Sequence, residues 1–220
     1  MTRPRLAVIH TVAGVRDEIQ RRFEEAGLSG AEHVLDASLL DDLLAGVDEA
    51  EVERRVLAHL DVLDGADAVA FSCSSLTPIV RRIRSNRSQP IIAIDEPMAA
   101  LAVQHASLGV LCTSAATVAG TTALLEETAA ASGRKLQLRV QFVDRAYDRL
   151  RAGNREEHDA LVLSAATGLA RDVDALMLAQ ASLARLESAI AAATGLPVLS
   201  PPAPFIARIR TQLGLDGTMR

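Results

Sequence analysis

Short, almost wholly apolar runs alternate along the chain with stretches in which apolar residues recur every three or four positions. Leu6 to Ile9, Ala66 to Phe71 and Ile91 to Ile94 are runs of the first kind. Their length and lack of polar alternation predict strands covered on both faces. Asp17 to Ala26 and Glu51 to Leu63 carry the helical period and predict helices, stopped by Gly27 and Gly65. Pro78 opens another helix, to Arg84, at a first-turn position that suits proline. A further helix follows from Met98. Strand and helix in alternation predict an α/β chain with parallel sheets.

The second half of the chain repeats the first. Leu6-Ala7-Val8-Ile9-His10-Thr11 is similar to Leu108-Gly109-Val110-Leu111-Cys112-Thr113. Asp67 to Ser74 is similar to Asp174 to Ser182 once one inserted residue is allowed. Pro90 to Pro97 is similar to Pro197 to Pro204. Three matches in one order predict two copies of one α/β unit. The expected lobes are residues 1–100 and 101–204, with the C-terminal helix, 205–220, packing back on the first. No Gly/Ser linker separates them, so tight packing is expected.

Composition narrows the picture. Of 220 residues, 49% are hydrophobic but only 2% aromatic, with no Trp, so Ala, Leu, Val and Ile must build the core. The net charge is -5 and no basic block interleaved with aromatics occurs, which argues against a nucleic-acid partner. Arg81, Arg82, Arg84 and Arg87 read as a solvated helix face. No apolar run is long enough to span a bilayer. Met1 to Arg5 lead into the first strand without a signal-peptide pattern, so a cytoplasmic protein with two reduced thiols is expected. The spacing of Cys73 and Cys112 suggests neither a disulfide framework nor a metal site. The Ala-rich stretches Leu124 to Ala131 and Leu183 to Thr194 offer apolar faces for a homo-oligomer.

Open parallel sheets bind ligands beyond the carboxyl ends of their strands. The first half places His10, Thr11, Cys73, Ser74, Ser75, Asp95 and Glu96 there. The second places Cys112, Thr113, Ser114, Thr117, Gln180 and Ser182. If the halves face each other, these groups line one cleft. Cys73 follows an apolar strand and precedes a helix start, where backbone N–H groups are expected to lower its pKa from ~8.5 and favour the thiolate. Such a sulfur can move a proton or attack an electrophile; the competing reading is a buried structural cysteine. Thr113, Ser114 and Thr117 suit a small carboxylate at a helix start, or simple capping. Neither a Walker A loop nor a complete Gly-x-Gly-x-x-Gly is present. Cys112 mirrors His10 and reads as packing. His10 is expected at the mouth of the cleft, orienting substrate or shuttling a proton. His33, His59, His105 and His158 read as structural.

These residues resemble the aspartate/glutamate/hydantoin racemase superfamily, which includes maleate isomerase and arylmalonate decarboxylase. The resemblance is carried by Val69 to Ser75, Ile94 to Met98, Gly109 to Thr113 with Thr117, and Leu178 to Arg185. It implies two pseudo-symmetric parallel-sheet α/β lobes with the active site between them, and an enzyme needing no cofactor or metal. It further implies two cysteines, one per half, flanking the α-carbon of a small carboxylic acid. Cys73 fits the first. The second falls on Ala181, which cannot move a proton. A one-thiol isomerase, decarboxylase or lyase is therefore expected, with Thr11, Ser74, Ser75, Thr113, Thr117 and Ser182 holding the carboxylate. An amino-acid or hydantoin racemase with a non-cysteine base such as His10, or a catalytically silent carboxylate-binding protein, are the alternatives.

Overall fold

A computed structural model describes residues 4–216. The first three residues, where the chain was expected to lead into its first strand, and residues 217–220 of the expected C-terminal helix lie outside it. The described residues divide into two compact units. One runs to Ile94 and resumes at Pro202; the other spans Asp95–Pro201.

The first unit is built in the order β1 (Leu6–His10), α1 (Ala13–Glu25), β2 (Glu32–Leu35), α2 (Ser38–Ala45), α3 (Glu49–Val62), β3 (Ala68–Phe71), α4 (Thr77–Ile83) and β4 (Ile91–Ala93). Its sheet is wholly parallel, in the order β2-β1-β3-β4. The central strands β1 and β3 are buried at every position, which is why they read as unbroken apolar runs. Gly27 closes α1 with φ of 76°, a conformation costly for any residue with a Cβ.

The second unit repeats this plan. It runs α5 (Glu96–Ala102), β5 (Ser107–Cys112), α6 (Ala115–Ala131), β6 (Gln137–Phe142), α7 (Ala146–Arg151), α8 (Arg155–Leu169), β7 (Ala175–Leu178), α9 (Glu187–Thr194) and β8 (Val198–Leu199). The parallel sheet has the order β6-β5-β7-β8, which is the first order again. Gly109 in β5 admits close packing: a Cβ there would meet Leu169 Cδ2 at 2.8 Å and Leu176 Cδ2 at 2.9 Å.

The division falls at Ile94 rather than near residue 100 because of α5. Its Met98, Ala99 and Ala102 are buried among Leu108, Val110 and Met177 of the second sheet. The last helix, α10 (Pro202–Gln212), belongs to the first unit. Phe205 stands 6.4 Å from Phe23 of α1, ring centre to ring centre, and the Arg210 guanidinium donates to the Ala26 carbonyl.

Candidate active site

The carboxyl end of β3 sets the geometry of the first unit. The Ser72 N–H donates to the Ile9 carbonyl at 3.0 Å, carrying the β1–β3 ladder one residue past the strand. Cys73 is still extended, at φ -115° and ψ 111°. The chain then tightens into a 3-10 turn, Ser74–Leu76, which runs into α4 with Pro78 in its first turn. That turn folds the N–H groups of Ser75 and Leu76 back toward the Cys73 sulfur, and the Thr11 hydroxyl reaches it from the end of β1. The sulfur therefore sits among donors.

Cys73 is 8% exposed, with Thr11, Ser74 and Ser75 buried beside it in sequence or in space. Burial pushes its thiol above the ordinary value. The hydrogen bonds from Thr11, Ser75 and Leu76 pull the other way but do not prevail. The thiol pKa is raised, not lowered as its strand-end position suggests. The strand-end amides are in place, but loss of solvent outweighs them. At neutral pH the resting group is the thiol, with donors arranged to receive the thiolate once it forms.

His10 is not at the mouth of a cleft. It is fully buried at the end of β1. Its Nδ1 lies 2.8 Å from Ser72 Oγ and its Nε2 lies 2.9 Å from His33 Nδ1. Both ring nitrogens are committed. Burial first, then His33 and Arg16, lower its pKa to about 3, so the ring is neutral. His33, expected to be merely structural in a helix or loop, is a strand residue of β2 that stacks on His10 with ring centres 5.1 Å apart. The pair and Ser72 tie β2, β1 and β3 together directly behind Cys73 in the chain. Nothing in the local sequence signals this pairing, because β2 is a short, half-exposed edge strand with little apolar character.

A second polar cluster lies at the end of β2, built from residues that form no motif along the sequence. Arg55 bonds both Asp36 and Asp42, and His59 Nε2 lies 2.9 Å from Asp36. Burial works to raise the Asp36 pKa, but Ser38, His59 and Arg55 together hold it at about 2. The Asp36 N–H donates to the His10 carbonyl, so this cluster anchors the strand end that carries Thr11.

The second unit has the same frame, and its hydrogen bonds fix the equivalences. Asp67 N–H donates to the Arg5 carbonyl while its carboxylate accepts from Arg5 N–H. Asp174 does the same with Ser107. At the other end of the strand, Ser72 N–H donates to Ile9 and Ala179 N–H to Leu111, each at 3.0 Å. The two strands have equal length between these markers. No residue is inserted, and the mate of Cys73 is Gln180, not Ala181. Gln180 is extended too, and it also opens a 3-10 turn, Ala181–Leu186. Its carboxamide oxygen accepts from the Thr113 N–H at 2.7 Å and the Thr113 hydroxyl at 3.0 Å. Thr113 is the mate of Thr11. A threonine that bonds a thiol in one unit thus bonds an amide in the other.

The remaining groups fall as follows. Thr113, Ser114 and Thr117 are buried around the start of α6. Ser182 lies partly exposed in the turn after Gln180. Cys112 is fully buried among Val110, Leu124, Leu125 and Met177, and burial pushes its thiol to about 12. Asp95 is buried and Glu96 lies in the first turn of α5, both in the second unit. Among the described residues no cluster of three or more His, Cys, Asp or Glu is placed to hold a metal ion. No described helix is long and apolar enough to cross a membrane.

Fold and strand ends together define a duplicated α/β protein with a hydrogen-bonded thiol at one strand end and an amide at its mate. The sequence model of the Asp/Glu/Hydantoin racemase family matches residues 6–207, and the chain belongs to that family. The fold is shared with a glutamate racemase of Bacillus anthracis, at 18% identity over 99% of this chain and 84% of that one, with a TM-score of 0.73. It is also shared with an aspartate racemase of Picrophilus torridus (13% identity, 96% and 94% covered, TM-score 0.67). An allantoin racemase of Pseudomonas fluorescens matches at 19% identity, 96% and 92% covered, with a TM-score of 0.63. No curated protein matches the chain in sequence.

Proposed function

We propose that this chain is a cofactor-independent enzyme acting on a small carboxylic acid, with Cys73 as its one thiol acid. The observation that carries this reading is the asymmetry between the mated strand ends: a thiol at 73 and an amide at 180. A neutral amide neither gives nor takes a proton near pH 7. His10, buried and held neutral with both nitrogens bonded, is a positioning residue rather than a second base. A racemase needs a base on each face of the α-carbon in turn, and these residues supply one titrating group.

The resting thiol favours proton delivery over proton removal. The step that fits is a carbon–carbon cleavage of the decarboxylase type. The bond from the α-carbon to a departing carboxylate breaks, its electron pair stays as an enediolate, and carbon dioxide leaves. The Cys73 S–H then gives its proton to the α-carbon. The thiolate so formed meets donors already in place from Thr11, Ser75 and Leu76. Water restores the proton. Ser74 and Ser75, buried next to Cys73 in the chain, are the groups we assign to carboxylate oxygens.

Alkylation of the folded protein with iodoacetate, read by peptide mass spectrometry, tests the assignment of Cys73. We expect carboxymethylation at Cys73, slowed by a bound small acid and accelerating as pH rises toward the elevated thiol pKa. Cys112 is expected to stay unmodified until unfolding. Reaction at Cys112 first, or Cys73 inert until the protein unfolds, contradicts the reading. Saturable protection of Cys73 by acids, none of which is ever turned over, would identify a silent binding protein instead.

A further inference from the structure

Gln180 offers more than the loss of a thiol. Its Oε1 accepts from a backbone N–H, and only the oxygen of a carboxamide can do that, so the orientation of the amide is fixed. The Thr113 hydroxyl donates to the same oxygen and holds it further. The amide nitrogen must then point away from Thr113. Among the described residues it has no hydrogen-bond partner, and the side chain is partly exposed. Two N–H donors are thereby held at the carboxyl end of β7, with their direction set by the protein. A second observation lies next to Thr113 in the chain. Ser114 is 3% exposed, its hydroxyl makes no cap bond to α6, and Oγ is buried without a hydrogen-bond partner among the described residues. Buried hydroxyls are normally satisfied.

We propose that the Gln180 amide, backed by Thr113 and joined by the Ser114 hydroxyl, is a donor site for one oxygen of a small carboxylate. The site occupies in the second unit the register position that Cys73 holds in the first. The proposal rests on the reading that the chain takes a small carboxylic acid. It adds that the position equivalent to the thiol has become a fixed, neutral anion-holding group. An amide suits that role: it donates at every pH in the working range and exchanges no proton with the acid it holds.

The test is malonate binding to the full-length protein, followed by the side-chain amide resonances of 15N-labelled glutamine. The pair that disappears in Gln180→Ala belongs to Gln180. In the unaltered protein this pair should shift saturably with malonate. Gln180→Glu keeps an oxygen for Thr113 and replaces the donor with a second oxygen, so folding is retained while the anion is repelled. We expect its malonate affinity to fall about thirtyfold, and that of Gln180→Ala about tenfold. Malonate binding that leaves the Gln180 amide unmoved overturns the proposal. So does unchanged affinity in Gln180→Glu, or no binding of malonate at all. In Cys73→Ser the Gln180 shift should persist, so failure of the thiol chemistry and failure of this donor site give different results.

Discussion

Replacing Cys73 by serine should abolish turnover by about 10³-fold while leaving the fold intact. The size follows from what a positioned general acid contributes. A serine hydroxyl is a far weaker acid than a thiol, so it cannot protonate a carbanion-like centre at a comparable rate. The fold survives because the replacement is smaller by little and remains hydrogen-bonded. Thr11, Ser75 and Leu76 donate to the sulfur now and would donate to the new oxygen. We expect a stability change within about 1 kcal/mol. Cys112→Ser should behave in the opposite way. That sulfur lies in hydrocarbon between Val110, Leu124, Leu125 and Met177, so a hydroxyl there is buried without a designed partner. About 1–3 kcal/mol of stability is lost, and turnover per folded molecule is kept. Measuring activity and chemical unfolding on both variants checks the pair of outcomes. Loss of activity in Cys112→Ser with retention in Cys73→Ser would reverse the assignment.

Acid should weaken the protein through His10. The ring is fully buried, and its pKa is lowered from 6.5 to about 3, by burial first and then by His33 and Arg16, with Asp17 opposing. In the unfolded chain the ring takes a proton near its ordinary value. Below that value the unfolded state binds more protons than the native one, so stability falls with falling pH. The loss begins near pH 6.5 and grows until about pH 3, where the native ring would also protonate. Between pH 7 and pH 5 the cost is about 2 kcal/mol. His33 shifts in the same direction and adds to it. Urea unfolding of the protein and of His10→Asn at both pH values measures the effect. Asparagine does not titrate and can still bond Ser72. The drop in stability from pH 7 to pH 5 should shrink by about 2 kcal/mol in the variant. Equal drops would mean that His10 is not the buried neutral ring described above.

The two central strands of each sheet were readable because they are covered on both faces. Leu6 to His10 and Ala68 to Phe71 contain no exposed position to interrupt the apolar run. The edge strands β2 and β6 were missed for the converse reason. Glu-His-Val-Leu is short, half exposed and without a clear period, whereas Gln-Leu-Arg-Val-Gln-Phe does alternate polar and apolar, the pattern of a strand with one covered face, which a search for unbroken apolar runs passes over. Missing β2 also hid the partner of His10, which pairs across strands and not along the sequence. The repeat was visible from apolar runs and prolines, yet its register was off by one. Comparing residue types favoured matching serines and called for an inserted residue. The backbone hydrogen bonds leave no room for one, and they move the mate of Cys73 from Ala181 to Gln180. The Cys73 thiol is less acidic than its position suggests, because sequence shows which donors follow a strand but not how much water is lost around the sulfur.

Asymmetric chemistry leaves an asymmetric isotopic trace, and this can be measured directly. A prochiral disubstituted malonic acid converted in heavy water should yield a product carrying one deuterium at the α-carbon, in a single enantiomer. An optically pure α-substituted acid incubated under the same conditions should keep both its proton and its optical rotation. Racemic product, or wash-in of deuterium with loss of rotation, would show a second group exchanging protons on the opposite face and would contradict a one-thiol enzyme.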